Sequence, residues 1–487
     1  MPLPDAPPLP DLAALDPSPE GLRAQAASAV DHVVSFLSSL SEQPAQGELE
    51  DVEAFCRGLR EPRPEEGIPL DDLLSFLFRD AIPRAFNPAG PGYMAFIPGG
   101  GLFPAAVADF VGAATNRYTG VWNAAPALVQ LEANALDWLR DWMGFPAGTR
   151  GLFTTGGSMA NFNAILCARE RHLGAEIRPG VLYASREVHH SVLKAAKLAG
   201  VMADRVRTIP VDGSYRMRPD ALREAIAADR LAGLRPFLVV STAGTTNTGA
   251  VDPLEEVGAL CAAEGLWHHV DGAYGAFFHA CDELRPLLPG LSRADSLTLD
   301  PHKGLFLPYG TGALLVADGA ALRAAHATGD HPAYLPHLPD ADEFYDPASH
   351  GPDLSRGFPG LRVWLSVKLL GAARLEAAIA EKRHLAVKAA REVAALPGVV
   401  MDAPPQLSLF AFHLSWPGAT VEEEDRATEE LIRRVVARGR VMLSGCRTGG
   451  RFLARVCILS FRTRQDRVDE AVRHLAEESA GVLAGRI

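Results

Sequence analysis

The spacing of apolar residues near the beginning of the chain predicts two helices, over residues 21–40 and 70–80. A connector rich in proline, glutamate and glycine separates them at residues 61–67. Residues 1–20, rich in proline and aspartate, are predicted to form a loose arm. Because two such helices cannot bury their apolar faces alone, we expect them to pack against the rest of the chain or against a second subunit.

From about residue 95 the pattern changes to short apolar runs that alternate with segments of helical periodicity. The predicted strands are 181–184, 237–242, 266–270, 296–299 and 312–317. The predicted helices are 126–143, 158–172, 191–200, 219–230 and 253–264. This alternation predicts an α/β fold whose sheet is mostly parallel and is covered by helices on both faces.

The last third of the chain has a different organisation. Residues 320–357 form a polar stretch rich in proline and histidine, which is typical of a functional loop or lid. A long helix is predicted to begin near residue 361, and further elements follow: strands at 407–414 and 452–461, helices at 421–438 and 465–484. These elements predict a small carboxyl-terminal α+β domain. The predicted division is an amino-terminal helical arm at 1–92, a large domain at 93–360 and the small domain at 361–487.

Charge and composition narrow the classes of protein that the chain can be. Its 487 residues carry a net charge of -12 and no lysine–arginine cluster, which argues against nucleic acid and anionic membranes as partners. No stretch is apolar enough to predict a membrane span, and the first ten residues lack the pattern of a signal peptide. Six cysteines without a CxxC pair indicate reduced thiols, so we expect a cytoplasmic protein.

Lys303 is the first candidate for chemistry. The predicted strand at 296–299 ends at Asp300-Pro301, and His302 and Lys303 follow directly. Open α/β sheets bind ligands beyond the carboxyl ends of their strands, so Lys303 lies where a ligand is expected. Desolvation there is expected to lower the pKa of the amine and make it nucleophilic. The pattern favours a Schiff-base lysine that holds pyridoxal phosphate, and a solvated loop lysine is the alternative.

Two further segments suit that cofactor. Residues 154–161, Thr-Thr-Gly-Gly-Ser-Met-Ala-Asn, lead into a helix, and glycines at a helix start let backbone N–H groups approach a phosphate. A plain turn with Ser158 as helix cap is the alternative. Asp271 follows an apolar strand, where its carboxylate can bond the pyridine nitrogen and make the ring an electron sink. The alternative there is an ordinary turn aspartate.

Two polar segments complete the set. In His189-His190-Ser191 one imidazole can stack on the cofactor ring, although an adjacent histidine pair can also suggest metal ligands. The hydroxyls of residues 241–247 can bond the cofactor or a substrate carboxylate, or they can form a simple turn. The pair His268-His269 lies within a strand, so its side chains point to opposite faces and are predicted to be structural.

With these segments in order, the chain resembles the group II pyridoxal-phosphate-dependent amino-acid decarboxylases, and their aromatic-amino-acid branch in particular. The resemblance runs from about Tyr93 to the carboxyl terminus. It is carried by four motifs: Ser296-x6-Lys303-Gly304-Leu305, Met94–Pro98, Trp122–Ala127 and Leu354–Phe358. The resemblance implies a fold-type I, aspartate-aminotransferase-like enzyme that binds pyridoxal 5'-phosphate and acts as a homodimer with sites between subunits. It implies decarboxylation of an L-amino acid, with aromatic substrates favoured, to an amine and carbon dioxide through an external aldimine on Lys303.

The resemblance also implies roles for single residues. Lys303 is the imine lysine, Asp271 the pyridinium partner and His189 the stacking imidazole. The other cofactor contacts implied are Gly157, Ser158, Thr246, Ala273, Asp300 and His302. The substrate contacts implied are Phe96, Ile97, Pro98, Tyr118 and Arg356. Tyr345 is the predicted lid residue that protonates the substrate carbon, with Tyr334 as the alternative. No metal is implied.

Four positions depart from the aromatic enzymes of this family. Phe96 stands where they have tyrosine, Gly120 where they have phenylalanine, Asp300 where they have asparagine and Gly304 where they have tryptophan. A substrate that is acidic or otherwise non-aromatic therefore stays open, and Arg117 is a candidate to pair with an acidic side chain. An aldehyde synthase, an aminotransferase or a lyase of the same fold stays open as well.

Overall fold

The computed structural model describes residues 15–327 and 343–485. Its first part contains three helices: α1 (Pro19–Ser38), α2 (Val52–Gly58) and α3 (Leu70–Phe76), the last continued by a π-helical turn at Leu77–Ala81. The two predicted helices are confirmed, whereas α2 was not predicted. None of the three helices contains a buried residue. Within the described part of the chain, their apolar side chains are therefore only partly covered, for example by the contact between Phe55 and Phe76.

A seven-stranded sheet forms the centre of the described part of the molecule. Its strands are β1 (Arg150–Thr154), β2 (Gly180–Ser185), β3 (Val206–Ile209), β4 (Arg235–Thr242), β5 (Trp267–Asp271), β6 (Ser296–Leu299) and β7 (Gly312–Val316). They lie in the order β1-β7-β6-β5-β4-β2-β3, and only β7 runs antiparallel to its neighbours. The predicted α/β fold with a mostly parallel sheet is confirmed. The carboxyl ends of β1, β2, β4, β5 and β6 therefore open at the same edge.

Helices cover both faces of this sheet, as the alternation predicted. They are α4 (Phe103–Thr115), α5 (Pro126–Trp142), α6 (Gly157–Leu173), α7 (His190–Leu198), α8 (Pro219–Leu231), α9 (Leu254–Glu264), the short α10 (Pro301–Gly304) and α11 (Gly319–His326). Successive residues of β2 show how the sheet separates two cores. Leu182 packs with residues of α6 and α7, while Val181 and Tyr183 pack with residues of α8 and α9.

The carboxyl-terminal region has a second, antiparallel sheet of four strands in the order β10-β11-β9-β8 within the described residues. Its elements are α12 (Pro359–Leu370), α13 (Ala372–Ala394), β8 (Val399–Ala403), β9 (Leu409–Leu414), α14 (Val421–Ala437), β10 (Ser444–Thr448), β11 (Arg451–Cys457) and α15 (Gln465–Gly485). The single long helix predicted from residue 361 is wrong, because Gly371, with φ of 81°, divides it into α12 and α13.

The segment before the central sheet is attached to this small sheet. Tyr93 pairs with Met442, and the N–H of Cys457 donates to the carbonyl oxygen of Met94 at 2.9 Å. The predicted domain boundary at residue 93 thus falls in a stretch that contacts the carboxyl-terminal region, and the division into domains stays a prediction. Among the described helices, none combines the length and the apolar character that crossing a membrane requires.

Candidate active site

A cavity of about 360 Å³ lies at the edge of the sheet where the five strands end. Every residue that the sequence assigned to the cofactor lines it: Gly157, Ser158, His189, Thr246, Asp271, Ala273, Asp300, His302 and Lys303. They follow β1, β2, β4, β5 and β6 along the chain. Residues from 157 to 303 therefore meet because parallel strands end at a common edge.

The turn between β1 and α6 has the features of a phosphate cradle. Gly157 and Ser158 begin α6, and no side chain caps that helix, so their N–H groups have no acceptor within the helix. A Cβ at Gly157 would lie 3.1 Å from both the Cβ of Ala273 and the Oδ2 of Asp300, which explains the glycine. Thr155 and Ser158, both exposed, also line the cavity. A phosphate monoester fits this arrangement of donors.

Asp271 is the last residue of β5 and is 5% exposed. Asn161 Nδ2 donates to its Oδ2 at 2.8 Å, and the N–H of Ala273 donates to its Oδ1 at 3.2 Å. These two bonds compensate for burial of the charge and fix the carboxylate at the cavity. The sequence interpretation included Asn161 in the phosphate segment but gave it no role. Its position four residues after Gly157 on α6 was the available signal, since such residues share a helix face.

His189 precedes α7 and holds its ring through Ser191. The Oγ of Ser191 lies 2.7 Å from Nδ1 of His189, and the N–H of Ser191 donates to the same nitrogen at 3.3 Å. Burial lowers the pKa of His189, although the nearby Asp271 acts in the opposite direction. A neutral, oriented imidazole suits stacking on a cofactor ring. Among the described residues no cluster of three or more metal-binding side chains occurs around this or any other histidine.

Lys303 forms an ion pair within the cavity. Its Nζ lies 2.9 Å from Oδ2 of Asp300, a buried residue three positions earlier. Burial acts to lower the pKa of Lys303, but Asp300 and then Asp271 outweigh it, so the pKa is raised. The predicted fall in this pKa is therefore wrong, because the short helix α10 places the carboxylate of Asp300 against the amine.

His302 and Asp300 connect the lysine segment to the phosphate cradle. Nδ1 of His302 donates to the carbonyl oxygen of Thr311 at 2.7 Å, which leaves Nε2 as an acceptor, so Nε2 and Oδ2 of Asp300, 3.6 Å apart, are neighbours without a hydrogen bond. Burial lowers the pKa of His302. Oδ1 of Asp300 is buried and has no hydrogen-bond partner in the part of the chain that the structure describes. Asp300 therefore has capacity for one more polar contact beside the cradle.

Tyr345 is not brought to this cavity. It lies in a separate cavity of about 90 Å³ beside β1 and α5, with Leu136, Gly151 and Leu315. Its hydroxyl is buried without a hydrogen-bond partner among the described residues, and burial raises its pKa further above the usual value. This position does not support the prediction that Tyr345 protonates the substrate carbon. The alternative, Tyr334, lies outside the described residues.

The predicted substrate residues do not line the cavity of Lys303. Arg356 forms an ion pair with the buried Glu132 at 2.6 Å and donates to the carbonyl oxygen of Thr119 at 3.0 Å. Its guanidinium charge is therefore balanced within the chain. Arg356 lines a second cavity of about 450 Å³, which shares Thr155 with the first and also includes Arg117. Tyr118 is partly exposed next to this segment.

The loop with Phe96, Ile97 and Pro98 packs on the lysine segment. A Cβ at the following Gly99 would collide with the carbonyl oxygen of His302, so the two backbones are in direct contact. Ile97 and Pro98 are buried, whereas Phe96 is 51% exposed and stacks with Tyr93 and Phe86 at ring distances of 6.4 and 6.2 Å. The loop is therefore close to Lys303 but presents its aromatic group outward.

Two of the four departures from the family pattern have a packing explanation. A Cβ at Gly304 would collide with the buried ring of Phe277, so position 304 faces the core and not the cavity. A Cβ at Gly120 would collide with the carbonyl oxygen of Leu354. The absence of large side chains at these positions follows from their neighbours in this chain.

Comparisons with known proteins agree with this geometry. The family model described as "Pyridoxal-dependent decarboxylase conserved domain" matches residues 79–415. The aromatic-L-amino-acid decarboxylase of Bacillus atrophaeus is 33% identical over 470 residues, which cover 95% of this chain and 96% of that protein.

Two solved structures have the same fold over nearly the whole chain. Catharanthus roseus tryptophan decarboxylase in complex with L-tryptophan has a TM-score of 0.88 at 26% identity, covering 96% of this chain and 99% of that one. Rhodiola rosea 4-hydroxyphenylacetaldehyde synthase has a TM-score of 0.87 at 26% identity, covering 95% and 99%. These similarities confirm the expected fold-type I architecture.

Proposed function

The chain belongs to the family of pyridoxal-dependent decarboxylases, and we propose that it removes the α-carboxylate of an L-amino acid, with aromatic substrates favoured. One observation carries the proposal. A lysine, a buried aspartate, an oriented imidazole and a phosphate cradle line a single cavity at the sheet edge. Each of these four parts serves a different portion of pyridoxal 5'-phosphate, which is the cofactor of the enzyme.

When bound, pyridoxal phosphate supplies an electron sink for the electrons released when the bond between Cα and the carboxylate breaks. Lys303 would hold the cofactor through its Nζ. Asp271 would accept a hydrogen bond from the ring nitrogen, and His189 would lie against the ring and exclude water from it. The N–H groups of Gly157 and Ser158 would bind the phosphate.

The preference for aromatic substrates rests on the relatives and on charge. The relative from Bacillus atrophaeus is an aromatic-L-amino-acid decarboxylase, and one structural neighbour holds L-tryptophan. Within this chain Arg356 is neutralised by Glu132, so it does not offer a charge to an acidic substrate. Arg117, which lines the second cavity, is the remaining candidate for an acidic side chain.

A homodimer is part of the proposal, because one apolar face of α4 is largely exposed in the described part of the chain. Phe103, Val107, Phe110 and Val111 recur on one face of α4 and are 44, 37, 63 and 43% exposed. The opposite face of α4 is buried through Ala105 and Ala108, and Ala108 lines the second cavity. A second copy that covers this face would close the substrate side of the site. We place the enzyme in the cytoplasm, which is supported by six cysteines that are all unpaired thiols.

The test is a product assay on the purified holoenzyme. Tryptophan, tyrosine, phenylalanine and dihydroxyphenylalanine are compared with glutamate and diaminobutyrate, and carbon dioxide and amine are measured together. We expect carbon dioxide and amine in equal amounts from at least one aromatic substrate. Turnover of glutamate or diaminobutyrate without turnover of any aromatic substrate would contradict the aromatic preference.

An aldehyde synthase is the second candidate, because one structural neighbour is 4-hydroxyphenylacetaldehyde synthase. The same assay distinguishes it when ammonia, peroxide and aldehyde are also measured. Release of aldehyde with ammonia in place of the amine would favour that candidate over simple decarboxylation.

A further inference from the structure

A buried chain of hydrogen bonds converges on Asn161, which is 1% exposed. Its Nδ2 lies 2.8 Å from Oδ2 of Asp271 and 3.1 Å from Oγ of Ser191. Its Oδ1 lies 2.7 Å from Oγ1 of Thr298 and 3.0 Å from Nε2 of His269. Both ends of the amide are therefore fully used, and the contacts reach three different elements at the sheet edge, β5, β6 and α7.

The chemistry of the partners fixes the direction of every bond in one branch. The Asp271 carboxylate only accepts, so the amide nitrogen of Asn161 faces it and the amide oxygen faces His269. Nε2 of His269 must then carry the hydrogen, and its Nδ1 accepts from Oγ of Ser296 at 2.8 Å. The Ser296 hydroxyl in turn accepts from Nε1 of Trp267, which is a donor only, at 2.8 Å.

The second branch leads to the stacking imidazole. The remaining amide hydrogen of Asn161 is donated to Oγ of Ser191, so the Ser191 hydroxyl is free to donate to Nδ1 of His189 at 2.7 Å. Asn161 thus contacts Asp271, the expected partner of the ring nitrogen, directly. Through the hydroxyl of Ser191 it is also linked to His189, which is expected to stack on the ring. The two branches together order both sides of the cofactor site.

We propose that Asn161 is a positioning residue that orients Asp271 and His189 together and holds the proton on the cofactor's ring nitrogen by donating to Asp271, with His269 fixing its amide. Burial lowers the pKa of His269 to about 4, so this histidine stays neutral and transmits hydrogen bonds without adding charge. A directed chain of this kind polarises each bond in the next. Through its donation to Oδ2, Asn161 holds the Asp271 carboxylate in the orientation that accepts from a protonated ring nitrogen.

This inference rests on the proposed cofactor site but not on the identity of the substrate. It is tested with pyridoxal phosphate labelled with ¹⁵N in the ring, bound to wild type, Asn161→Ala and Asn163→Ala. Asn163 is a matched control, because it lies on the same helix, is equally buried and donates its Nδ2 to the carbonyl oxygen of Met159 at 2.7 Å. Both variants lose a buried amide, but only one loses the contact to Asp271.

In Asn161→Ala we expect the ring-nitrogen resonance to move toward its unprotonated position and cofactor affinity to fall about tenfold, the size of a lost charge-assisted hydrogen bond. Asn163→Ala is expected to keep the wild-type resonance and an affinity within about twofold. Equal resonances in wild type and Asn161→Ala would overturn the inference, even if stability had changed.

A second measurement does not need the cofactor. In protein with ¹⁵N-labelled histidine, His269 should show a neutral ring with hydrogen on Nε2, and Asn161→Ala should disturb this signal. His268 is the control on the same strand, since it contacts Oγ of Ser241 at 2.9 Å on the other side of the sheet. A His269 signal that Asn161→Ala leaves unchanged contradicts the inference. Failure of wild type to bind pyridoxal phosphate would contradict the proposed function instead.

Discussion

Two groups of residues near Lys303 differ in how completely a single chain assembles them. We call the residues expected to hold the cofactor the cofactor side, and those expected to contact the substrate, with α4, the substrate side. On the cofactor side, the phosphate turn, Asp271 and His189 lie around one cavity and are held by buried hydrogen bonds. On the substrate side, Phe96 and the apolar face of α4 are exposed, and the predicted substrate residues lie outside the cavity. The cofactor residues are therefore gathered at one sheet edge of a single chain, whereas the predicted substrate residues are not gathered around that cavity.

Replacing Lys303 gives the largest effect, because it removes the covalent anchor of the cofactor side. Lys303→Ala should lose the absorbance band near about 420 nm that is typical of a lysine–cofactor imine. Turnover should fall at least about a thousandfold. Lys197→Ala, which changes an exposed lysine on α7, should keep both. Retention of the band and of full turnover in Lys303→Ala would show that this lysine is not the anchor.

The cofactor side was also the part that could be predicted from the sequence. Parallel strands end at one edge, so polar residues after β2, β4, β5 and β6 were expected to meet without knowledge of any distant contact. The strands β1 and β3 were missed, because β1 contains arginine and glycine and β3 lies at the sheet edge with partly exposed residues.

What could not be predicted depends on how individual side chains pack and orient, and in two cases out of three the side chains are far apart in the sequence. Gly304 suggested an altered substrate pocket, but the ring of Phe277 occupies that space in the core. The position of Tyr345 depends on packing against α5, which no local pattern of the sequence reveals. The raised pKa of Lys303 depends on the rotamer of Asp300, although that residue is only three positions away.

A charge placed on the exposed face of α4 should disrupt the proposed dimer contact without changing any residue that lines the cofactor cavity. Phe110→Glu puts a carboxylate in the middle of the exposed apolar face, so we expect the dissociation constant of the dimer to rise about thirtyfold or more. Sedimentation velocity over a range of concentrations measures this, and turnover should fall as the dimer dissociates. Leu231→Glu, at an even more exposed apolar residue on α8, is the control. A Phe110→Glu protein with wild-type association would contradict the proposed dimer face.

Replacing Asp300 tests whether its carboxylate raises the pKa of Lys303 and thereby slows capture of the cofactor. Because the neutral amine is the form that attacks the cofactor aldehyde, a raised Lys303 pKa slows capture near neutral pH. Asp300→Asn should lower that pKa and move the rate-against-pH curve to lower pH. At a pH well below the lysine pKa, lowering that pKa by one raises the fraction of neutral amine about tenfold. The rate of cofactor capture is expected to rise by the same factor.

The same pairing has a consequence for stability in the apoenzyme. A lysine whose folded pKa is raised contributes stability below the ordinary lysine pKa, and this contribution is lost as the pH rises through the raised value.

Stopped-flow mixing of apoenzyme with pyridoxal phosphate and with pyridoxal separates two causes of faster cofactor capture by Asp300→Asn. Faster capture of both aldehydes by Asp300→Asn indicates the lysine pKa, while faster capture of the phosphate form alone indicates relief of anion repulsion. Asp353→Asn, an exposed carboxylate at the second cavity, should change neither rate.

Tyr345, in its separate cavity beside β1 and α5, gives the smallest expected effect. Its buried hydroxyl has no hydrogen-bond partner among the described residues, so removing it leaves no partner unsatisfied and relieves a desolvated polar group. We expect Tyr345→Phe to keep turnover within about threefold and to unfold at the same or a slightly higher temperature. Tyr334→Phe is the informative comparison, because loss of an acid that protonates the substrate carbon costs about a hundredfold or more. If Tyr345→Phe lost turnover while Tyr334→Phe kept it, Tyr345 would have to leave its cavity beside α5 and reach the cavity of Lys303 during catalysis. The segment around Tyr345 would then belong to the substrate site.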